Sequence, residues 1–338
     1  MMPIEFSTLG LPPRDQLSAW RSWFDPVFDV EQDAPPEAGF AAQSQMWNLD
    51  KLTLGQTTAP SLQVVRTRQS IRRNPVDHWV LTVGTKPTTL AGGDRVTEVP
   101  ADTLFAVSLG NEMISRREQD TRLQVYLPRD HFHALAPVLD QAHCSIIATP
   151  MGRLLADYLA MLHRRLPELQ PEEMTRLPAA IGAMLEACLA PTAARTEVAG
   201  RQIDASRLER VRQVIRQNLR NPTLALPMLC RQAAMSRSQL YRLLEDEGGV
   251  AHYIQRLRLL ESHALLQKPG HAATIAEIAE ALCFADASSF SRAFRREFGL
   301  SPRDVRAVAQ AGLSVAVAAP RTPAGEAHAL FSECLRGF

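Results

Sequence analysis

The sequence predicts an α+β protein with two domains, an N-terminal β-barrel with helices and an all-α C-terminal domain. Three observations support this prediction. Short runs rich in β-branched and aromatic residues alternate with turn residues between about residues 40 and 127. From residue 204 onward, apolar residues instead recur at helical spacing. Within that second part, a pair of short helices occurs twice, with the copies about 50 residues apart.

The N-terminal domain is predicted to span residues 1–190, with strands at about 40–127 and helices at about 128–190. The clearest strand signals are the runs 62–66, 79–83, 103–107 and 122–126. Many short strands with close turns are typical of a small barrel or sandwich. The helices have apolar faces, one of them formed by Leu154, Leu155, Tyr158, Leu159 and Leu162. These helices can complete the barrel core or form a dimer interface, and the sequence leaves both open.

Two segments lack apolar periodicity. Residues 191–203 are small and polar and are predicted to link the domains, whereas the sequence indicates no role for the tail, residues 309–338. Met1–Gly10 has no basic segment followed by an apolar stretch, as a secretory signal would have. No apolar run approaches the ~20 residues of a membrane-spanning helix. We therefore expect a cytoplasmic protein that does not interact with membranes.

The charges are distributed unevenly along the chain. Residues 1–200 contain 18 Lys and Arg against 23 Asp and Glu, whereas residues 201–308 contain 17 against 11. A basic domain attached to an acidic one predicts a polyanionic partner for the basic domain.

The repeat in the C-terminal domain, residues 204–308, is visible residue by residue. The segment 229–235 aligns with 278–284, and 240–244 aligns with 290–294. Arg242 then pairs with Arg292, and Glu247 and Gly249 pair with Glu297 and Gly299. Between the copies, 250–267 has the apolar spacing of one long helix.

Capping residues mark the start of each predicted short helix. Thr223 precedes the first helix of copy one, and Thr274 with Glu277 forms a capping box in copy two. Ser236 with Gln239, and Asp286, precede the second helices. Two short helices joined by a tight turn are a helix-turn-helix, so the domain is predicted to hold two such units joined by the long helix.

The second helix of each copy combines an apolar face with a face of short polar and arginine side chains. The polar residues are Arg237, Ser238, Tyr241 and Arg242, then Ala287, Ser288, Ser291, Arg292 and Arg295. Short side chains allow a helix to lie deep in the major groove, and arginine can donate two hydrogen bonds to guanine. The pattern predicts two DNA recognition helices on double-stranded DNA.

With these motifs, residues 204–306 resemble the DNA-binding domain of the AraC/XylS family of transcription regulators. The matching positions of the second unit are Ala279, Phe284, Asp286, Phe290, Arg292, Phe294, Gly299, Ser301, Pro302 and Arg306. Ala234 and Cys283 stand at turn positions where the family usually has glycine. Val305 replaces a usual aromatic residue, and Ser289 stands where tyrosine is common.

The resemblance implies a role for each of these side chains. Ser238, Tyr241 and Arg242 match base-facing positions of the first unit, and Ala287, Ser288, Ser291 and Arg292 match those of the second. Arg237, Arg295 and Arg296 are expected to contact phosphates, which position a protein without reading sequence. The departure at Ser289 can change one phosphate or base contact.

Residues 40–190 resemble, less specifically, the sensor domain of some family members, a cupin-like β-barrel followed by helices. This resemblance implies a small-molecule effector, a homodimer, RNA polymerase as a partner and activation of transcription. It implies no cofactor and no enzymatic activity.

Two other functions stay open at this point. One is a small barrel enzyme or metal cupin fused to a DNA-binding tail, for which the pair His131 and His133, and His78 beside Trp79, are the candidate residues. The five cysteines are widely spaced and lack a C-x-x-C motif, which argues against a cysteine zinc site. The other is a regulator without an effector, controlled by its abundance or by a partner protein.

Overall fold

The computed structural model describes residues 2–25, 27–32, 35–189, 199–245, 248–268, 272–310 and 331–335. The chain divides into two compact units, which we treat separately. The N-terminal unit contains Met1–Ala194 together with Ala316–Phe338, and the C-terminal unit contains Arg195–Val315. Most of the predicted linker, most of the tail, and Glu247 of the repeat lie outside the described residues.

The N-terminal unit contains twelve described strands in two antiparallel sheets. The strands are β1 (Ile4–Ser7), β2 (Asp29–Glu31), β3 (Gln43–Asn48), β4 (Thr53–Ala59), β5 (Leu62–Arg66), β6 (Trp79–Gly84), β7 (Thr88–Gly92), β8 (Arg95–Val99), β9 (Phe105–Ser108), β10 (Met113–Arg117), β11 (Asp120–Leu127) and β12 (Ser145–Ile146). The larger sheet has the order β1-β3-β4-β11-β6-β9-β12, and the smaller has the order β2-β5-β10-β7-β8. Three of the four predicted strand runs lie within β5, β6 and β11, and the run 103–107 overlaps β9 from residue 105 onward.

The predicted barrel is not closed by the described strands, which instead form two separate sheets. Side chains of both sheets share one core, for example Val80 and Val107 of the larger sheet with Leu90 of the smaller. Alternating buried and exposed positions identify a strand with one buried face, but they do not reveal which strands pair at the edges. A sheet-rich domain was therefore predictable, and closure of a barrel was not.

Besides three short 3-10 helices, six α-helices are described within residues 1–189. They are α1 (Pro13–Phe24), α2 (Arg68–Arg73), α3 (Ala136–Leu139), α4 (Pro150–Arg165), α5 (Pro171–Met174) and α6 (Leu177–Leu189). Leu155 and Leu159 of α4 and Ile181 of α6 are buried in a second core, together with strand residues such as Leu81. The helices therefore complete a core, which was one of the two alternatives.

One side of α4 remains exposed. Leu154, predicted on the same face as the buried leucines, is 48% exposed. Met151 and Met161 are also exposed and Tyr158 is partly buried, so these four residues form an apolar stripe along the helix. We call residues 151, 154, 158 and 161 the α4 stripe.

The C-terminal end of the chain packs into the N-terminal unit as a short helix, α14 (Phe331–Cys334). The fully buried Phe331 ring lies 4.8 Å from that of Phe24 and 5.4 Å from that of Tyr126, between ring centroids. Thr53 Oγ1 donates to the Cys334 carbonyl at 3.0 Å, and His78 Nε2 lies 2.9 Å from the Leu335 carbonyl. The part of the tail that the structure describes is thus integral to this core.

The C-terminal unit contains the remaining described helices. They are α7 (Ala199–Gln217), α8 (Leu226–Gln232), α9 (Arg237–Leu243), α10 (Val250–Gln267), α11 (Ile275–Ala281), α12 (Ala287–Phe298) and α13 (Pro302–Gln310). The helix predicted at 250–267 is present with those bounds. Apolar faces of these helices form one core, to which Leu229, Leu240, Ile278 and Phe290 contribute at the repeated positions.

The turn of each helix pair contains a non-glycine residue with a left-handed backbone. Ala234 has φ 53° and Cys283 has φ 61°, at the two positions where the sequence departs from glycine. This conformation brings the Cβ atom close to a carbonyl oxygen and costs on the order of 1–2 kcal/mol for a residue other than glycine. Both turns are therefore kept in the fold despite an unfavourable local conformation.

Replacement of Phe331 by alanine is expected to lower the free energy of unfolding of the N-terminal unit by about 3–5 kcal/mol, because a fully buried ring is lost. Tryptophan fluorescence during urea unfolding measures this, since Trp20, Trp23, Trp47 and Trp79 all lie in this unit. Leu9→Ala removes a side chain that is 56% exposed and is the control, expected to change stability by less than about 0.5 kcal/mol. Equal effects of the two variants would show that α14 does not stabilise this core.

Ala234→Gly is expected to raise the stability of the C-terminal unit by about 0.5–1 kcal/mol, because glycine adopts positive φ without strain. Ala264→Gly, at an exposed position inside α10, is the control and is expected to lower stability by about 0.5–1 kcal/mol. Circular dichroism at 222 nm during thermal unfolding follows both variants. Destabilisation of the same size at both positions would contradict a strained turn.

Candidate nucleic-acid interface

The two helix pairs of the C-terminal unit begin at side-chain caps, as predicted at three of four positions. Ser236 with Gln239 and Thr274 with Glu277 form reciprocal capping boxes at α9 and α11. Asp286 accepts from the backbone N–H of Ser289 at 2.7 Å and caps α12. The prediction for Thr223 is wrong, because its hydroxyl donates to Asn221 instead and α8 begins later, at Leu226, without a side-chain cap.

The buried face of α12 is a row of aromatic rings. Phe290, Phe294 and Phe298 follow one another along the helix with ring centroids 5.6 and 4.5 Å apart. The ring of Phe284, in the preceding turn, lies 5.0 Å from Phe290, and His263 of α10 stacks on Phe294 at 5.8 Å. These contacts fix the rotation of α12 about its axis, and with it the direction in which its polar face points.

The opposite faces of α9 and α12 carry the predicted polar residues. Arg237, Ser238, Tyr241, Arg242, Ser288, Arg292, Arg295 and Arg296 are exposed, whereas Ala287, Ser289 and Ser291 are partly buried. Tyr241 is 55% exposed, which is unusual for a large aromatic residue. The structure therefore places the predicted residues of each unit together on one face of a single helix.

The hydroxyl groups of α12 already have partners. Ser289 Oγ donates to the Asp286 carbonyl at 2.9 Å, and Ser291 Oγ donates to the Ala287 carbonyl at 2.7 Å. In this conformation each hydroxyl has only its oxygen lone pairs available for DNA and can accept, but not donate, a hydrogen bond.

The arginines of this surface have no ion pair within the described residues. No carboxylate of those residues lies within salt-bridge distance of Arg237, Arg242, Arg292, Arg295 or Arg296. Hydrogen bonds from the Ser289 backbone, with a smaller effect of the charge of Arg292, lower the pKa of the Asp286 carboxyl. The surface is thus positively charged and its guanidinium groups are available to an anion.

Other arginines of the basic domain stabilise its fold. Arg258 donates to the carbonyls of Leu219 and Asn221, at 3.0 and 3.1 Å. Arg306, one of the positions that match the family, donates to the Ala273 carbonyl at 2.7 Å. Positive charge along the sequence did not separate these structural arginines from the exposed ones, because only the tertiary fold brings the carbonyls within reach.

The residues considered for metal binding do not form a described site. Among the residues described, no group of three or more His, Cys, Asp and Glu side chains could hold a metal ion. The side chain of His133 lies outside what is described. His78 contacts the Leu335 carbonyl, and burial lowers its pKa. No helix in the described ranges is both long and apolar enough to cross a membrane.

Comparison with known proteins supports the same interpretation. Residues 229–307 match a family model described as a helix-turn-helix domain. The chain is 25% identical over 322 residues to the transcriptional activator RhrA of Rhizobium meliloti, a match that covers 91% of this chain and 98% of RhrA. It is 42% identical over 77 residues to the HTH-type transcriptional activator RhaS of Salmonella arizonae, which is 22% of this chain and 27% of RhaS.

Among solved structures, the crystal structure of the AraC-like transcriptional activator CuxR aligns with a TM-score of 0.55 at 27% identity, covering 82% of this chain and 99% of CuxR. The shared fold therefore includes the sheet-rich N-terminal domain as well as the helical one. The matched motif, the activator that aligns with nearly the whole chain and the AraC-like structure all indicate similarity to the AraC/XylS family of transcription regulators.

Proposed function

We propose that this protein binds specific sites on double-stranded DNA and activates transcription in response to a small-molecule effector. The observation that carries the proposal is the pair of capped helices α9 and α12, each with a buried apolar face and an exposed face of arginine and short side chains. That combination suits insertion into the major groove. The names of the relatives, all transcriptional activators, support the regulator over the fused barrel enzyme.

The connecting helix α10 suits a bipartite site. Its 18 residues correspond to about 27 Å at ~1.5 Å per residue. Recognition helices in successive major grooves are separated by ~34 Å. A stiff connector of this length supports binding of α9 and α12 to two grooves on one side of the duplex.

Within this arrangement, Arg242 and Arg292 read bases. The other base-facing positions of the two helices are Ser238, Tyr241, Ala287, Ser288 and Ser291. Arg237, Arg295 and Arg296, at the ends of the two helices, hold phosphates, whereas the Ser289 hydroxyl, which already donates to the Asp286 carbonyl, does not donate to a phosphate oxygen in this conformation. Phosphate contacts supply affinity that depends on salt, whereas base contacts supply discrimination.

The α4 stripe supports a homodimer formed through the N-terminal domain. Exposed apolar residues that recur along one side of a helix are typical of a helix–helix interface. A dimer would present two DNA-binding domains. An activator of this kind acts in the cytoplasm, where RNA polymerase is the expected further partner.

Selection of genomic DNA fragments by the purified full chain, at two salt concentrations, tests the proposed function. Enrichment of one bipartite site with half-sites about one helical turn apart is expected. Binding without sequence preference, with a steep salt dependence, would show that the basic domain only anchors the chain to DNA.

Arg292→Ala and Arg296→Ala are expected to weaken DNA binding in different ways. The first should weaken binding to the selected site by about 1–3 kcal/mol with little effect on random DNA, because it removes a base contact. The second should weaken binding to all sequences and reduce the slope of log K against log salt by about 1, because it removes a phosphate contact. Fluorescence anisotropy titrations over a salt series measure both effects. Equal losses on cognate and random DNA for Arg292→Ala would contradict a base-reading role.

Leu154→Glu and Met161→Glu are each expected to convert a dimer to a monomer, because they place a charge within the apolar stripe. Ala160→Glu is the matched control, since Ala160 is exposed on the other side of α4. Size-exclusion chromatography with light scattering gives the mass of each variant. A dimer that persists in both stripe variants would exclude this interface.

A further inference from the structure

The two sheets of the N-terminal unit enclose a small cavity together with α1. Its volume is about 40 Å³. Aromatic and aliphatic side chains line one part, including Trp20, Phe24, Phe28, Leu90 and Phe105. The other part is lined by Thr57, Thr82, Ser115, Gln124 and two arginines, Arg117 and Arg122. The cavity is therefore amphipathic and contains cationic groups.

Strand register separates the polar part from the apolar part. On the inner face of β11, Arg122 lies opposite Thr57, and Gln124 lies opposite Thr82. Two residues further along the same face, Tyr126 lies opposite Val80. In the smaller sheet Arg117 is likewise at one end of β10 and Met113 at the other. Because β10 and β11 follow each other closely in sequence, both arginines lie at the same end of the cavity.

Arg122 already has partners. It is 2% exposed, and its Nε lies 2.9 Å from Asp120 Oδ2. It also donates to Thr88 Oγ1 of the smaller sheet. Asp120 in turn accepts from the backbone N–H and the hydroxyl of Thr85, at 2.8 and 2.6 Å. Arg122 and Asp120 therefore form a buried ion pair.

Arg117 is different, because it has no ion-pair partner at contact distance among the described residues. Its Nε is buried and has no hydrogen-bond partner, and no described carboxylate lies within salt-bridge distance. Burial, with a further contribution from the charge of Arg122, lowers the pKa of Arg117 to about 9. Buried cations are normally paired, because leaving water without a counter-charge is costly. Among the described residues, the nearby carboxylate of Asp120 is already paired with Arg122 and compensates the charge of Arg117 only in part.

We propose that the cavity binds a small organic anion, whose acidic group pairs with Arg117 and whose apolar part packs against Phe24, Phe28 and Phe105. This inference rests on the proposed function, since it names the chemical class of the effector. The threonine and glutamine side chains around Arg122 can hydrogen-bond to the remaining oxygens of the acid.

Binding of the ligand requires the side chains that line the cavity to rearrange. The cavity, at about 40 Å³, is much smaller than the ~150 Å³ of a protein cavity that binds benzene. Arg117 can change rotamer without breaking a hydrogen bond at its Nε, and Met113 and Gln124 are also unbranched side chains. A compact carboxylate with few heavy atoms therefore fits the site better than a large anion.

The first test uses the full chain and a panel of unbranched and phenyl-substituted carboxylates of three to nine carbons, each compared with the amide and the amine of the same skeleton. Thermal shift identifies the strongest binder and calorimetry gives its Kd. We expect at least one carboxylate to bind at least tenfold more tightly than its amide and amine. We expect Arg117→Gln to weaken that binding at least tenfold. Arg116→Gln changes the exposed neighbour on the same strand and should leave Kd unchanged.

A second test needs no ligand. Arg117→Met should raise the melting temperature of the free protein, because it removes a buried charge that is compensated only in part. Arg122→Met should lower it, because Asp120 then loses its partner. A lower melting temperature for Arg117→Met, similar to that of Arg122→Met, would show that Arg117 is an ordinary structural residue.

The anion assignment is overturned if no carboxylate of the panel shifts the melting temperature, or if the amides and amines bind equally well. Binding of the ligand-free chain to its selected DNA site is measured in the same preparation. If that binding persists while all carboxylates fail, only the ligand class is wrong. If DNA binding is also without specificity, the proposed function itself fails.

Discussion

Burial of one face of the recognition helices is the constraint on which the DNA-binding surface depends. The arginines of α12 point away from the core only because Phe290, Phe294 and Phe298 occupy it. A helix with charge on all sides would have no preferred rotation, and its side chains would not reach defined positions on a duplex. The packing therefore sets the geometry of recognition, and the arginines supply the charge.

Packing of the helices also explains why the turn within each helix pair keeps an unfavourable backbone conformation. Ala234 and Cys283 hold positive φ at the junctions of α8 with α9 and of α11 with α12. The neighbouring residues Ala233 and Leu282 are fully buried, so a different turn would displace helices that are already packed. Local strain of this size is retained where the surrounding core determines the conformation.

Features that depend on residues close in sequence were the ones that sequence reasoning predicted. Helix α10 and three caps follow from spacings of three or four residues, and all were found where expected. The prediction of a cap at Thr223 failed because the Thr223 hydroxyl donates to the nearby Asn221 side chain instead. The polar faces of α9 and α12 followed from the same periodicity, so the candidate DNA surface was largely predictable.

Features that depend on distant residues were not predictable. The packing of Phe331 against Phe24 and the contact of Thr53 with Cys334 join segments about 300 residues apart, and no local pattern in an alanine-rich tail indicates them. The division of the strands into two sheets has the same origin. The roles of Arg258 and Arg306 as donors to backbone carbonyls likewise became visible only in the fold.

Arginine serves opposite purposes in the two units, and the difference follows from burial. On α9 and α12 it is solvated, so its charge attracts any polyanion and specificity must come from the geometry of the helix. In the N-terminal cavity Arg117 is largely desolvated, and burial lowers its pKa to about 9 in the fold. For a cation this shift means that the folded state binds the proton more weakly, so the buried charge destabilises the fold at every pH below about 9. That cost diminishes only as the pH rises above about 9, toward the ordinary pKa of arginine. An anion placed beside Arg117 would remove this cost in stability at neutral pH, because the paired guanidinium regains its proton affinity. Occupancy of the cavity and stability of the N-terminal domain are therefore linked through one charge, which gives a regulator a physical means of responding to an acidic ligand.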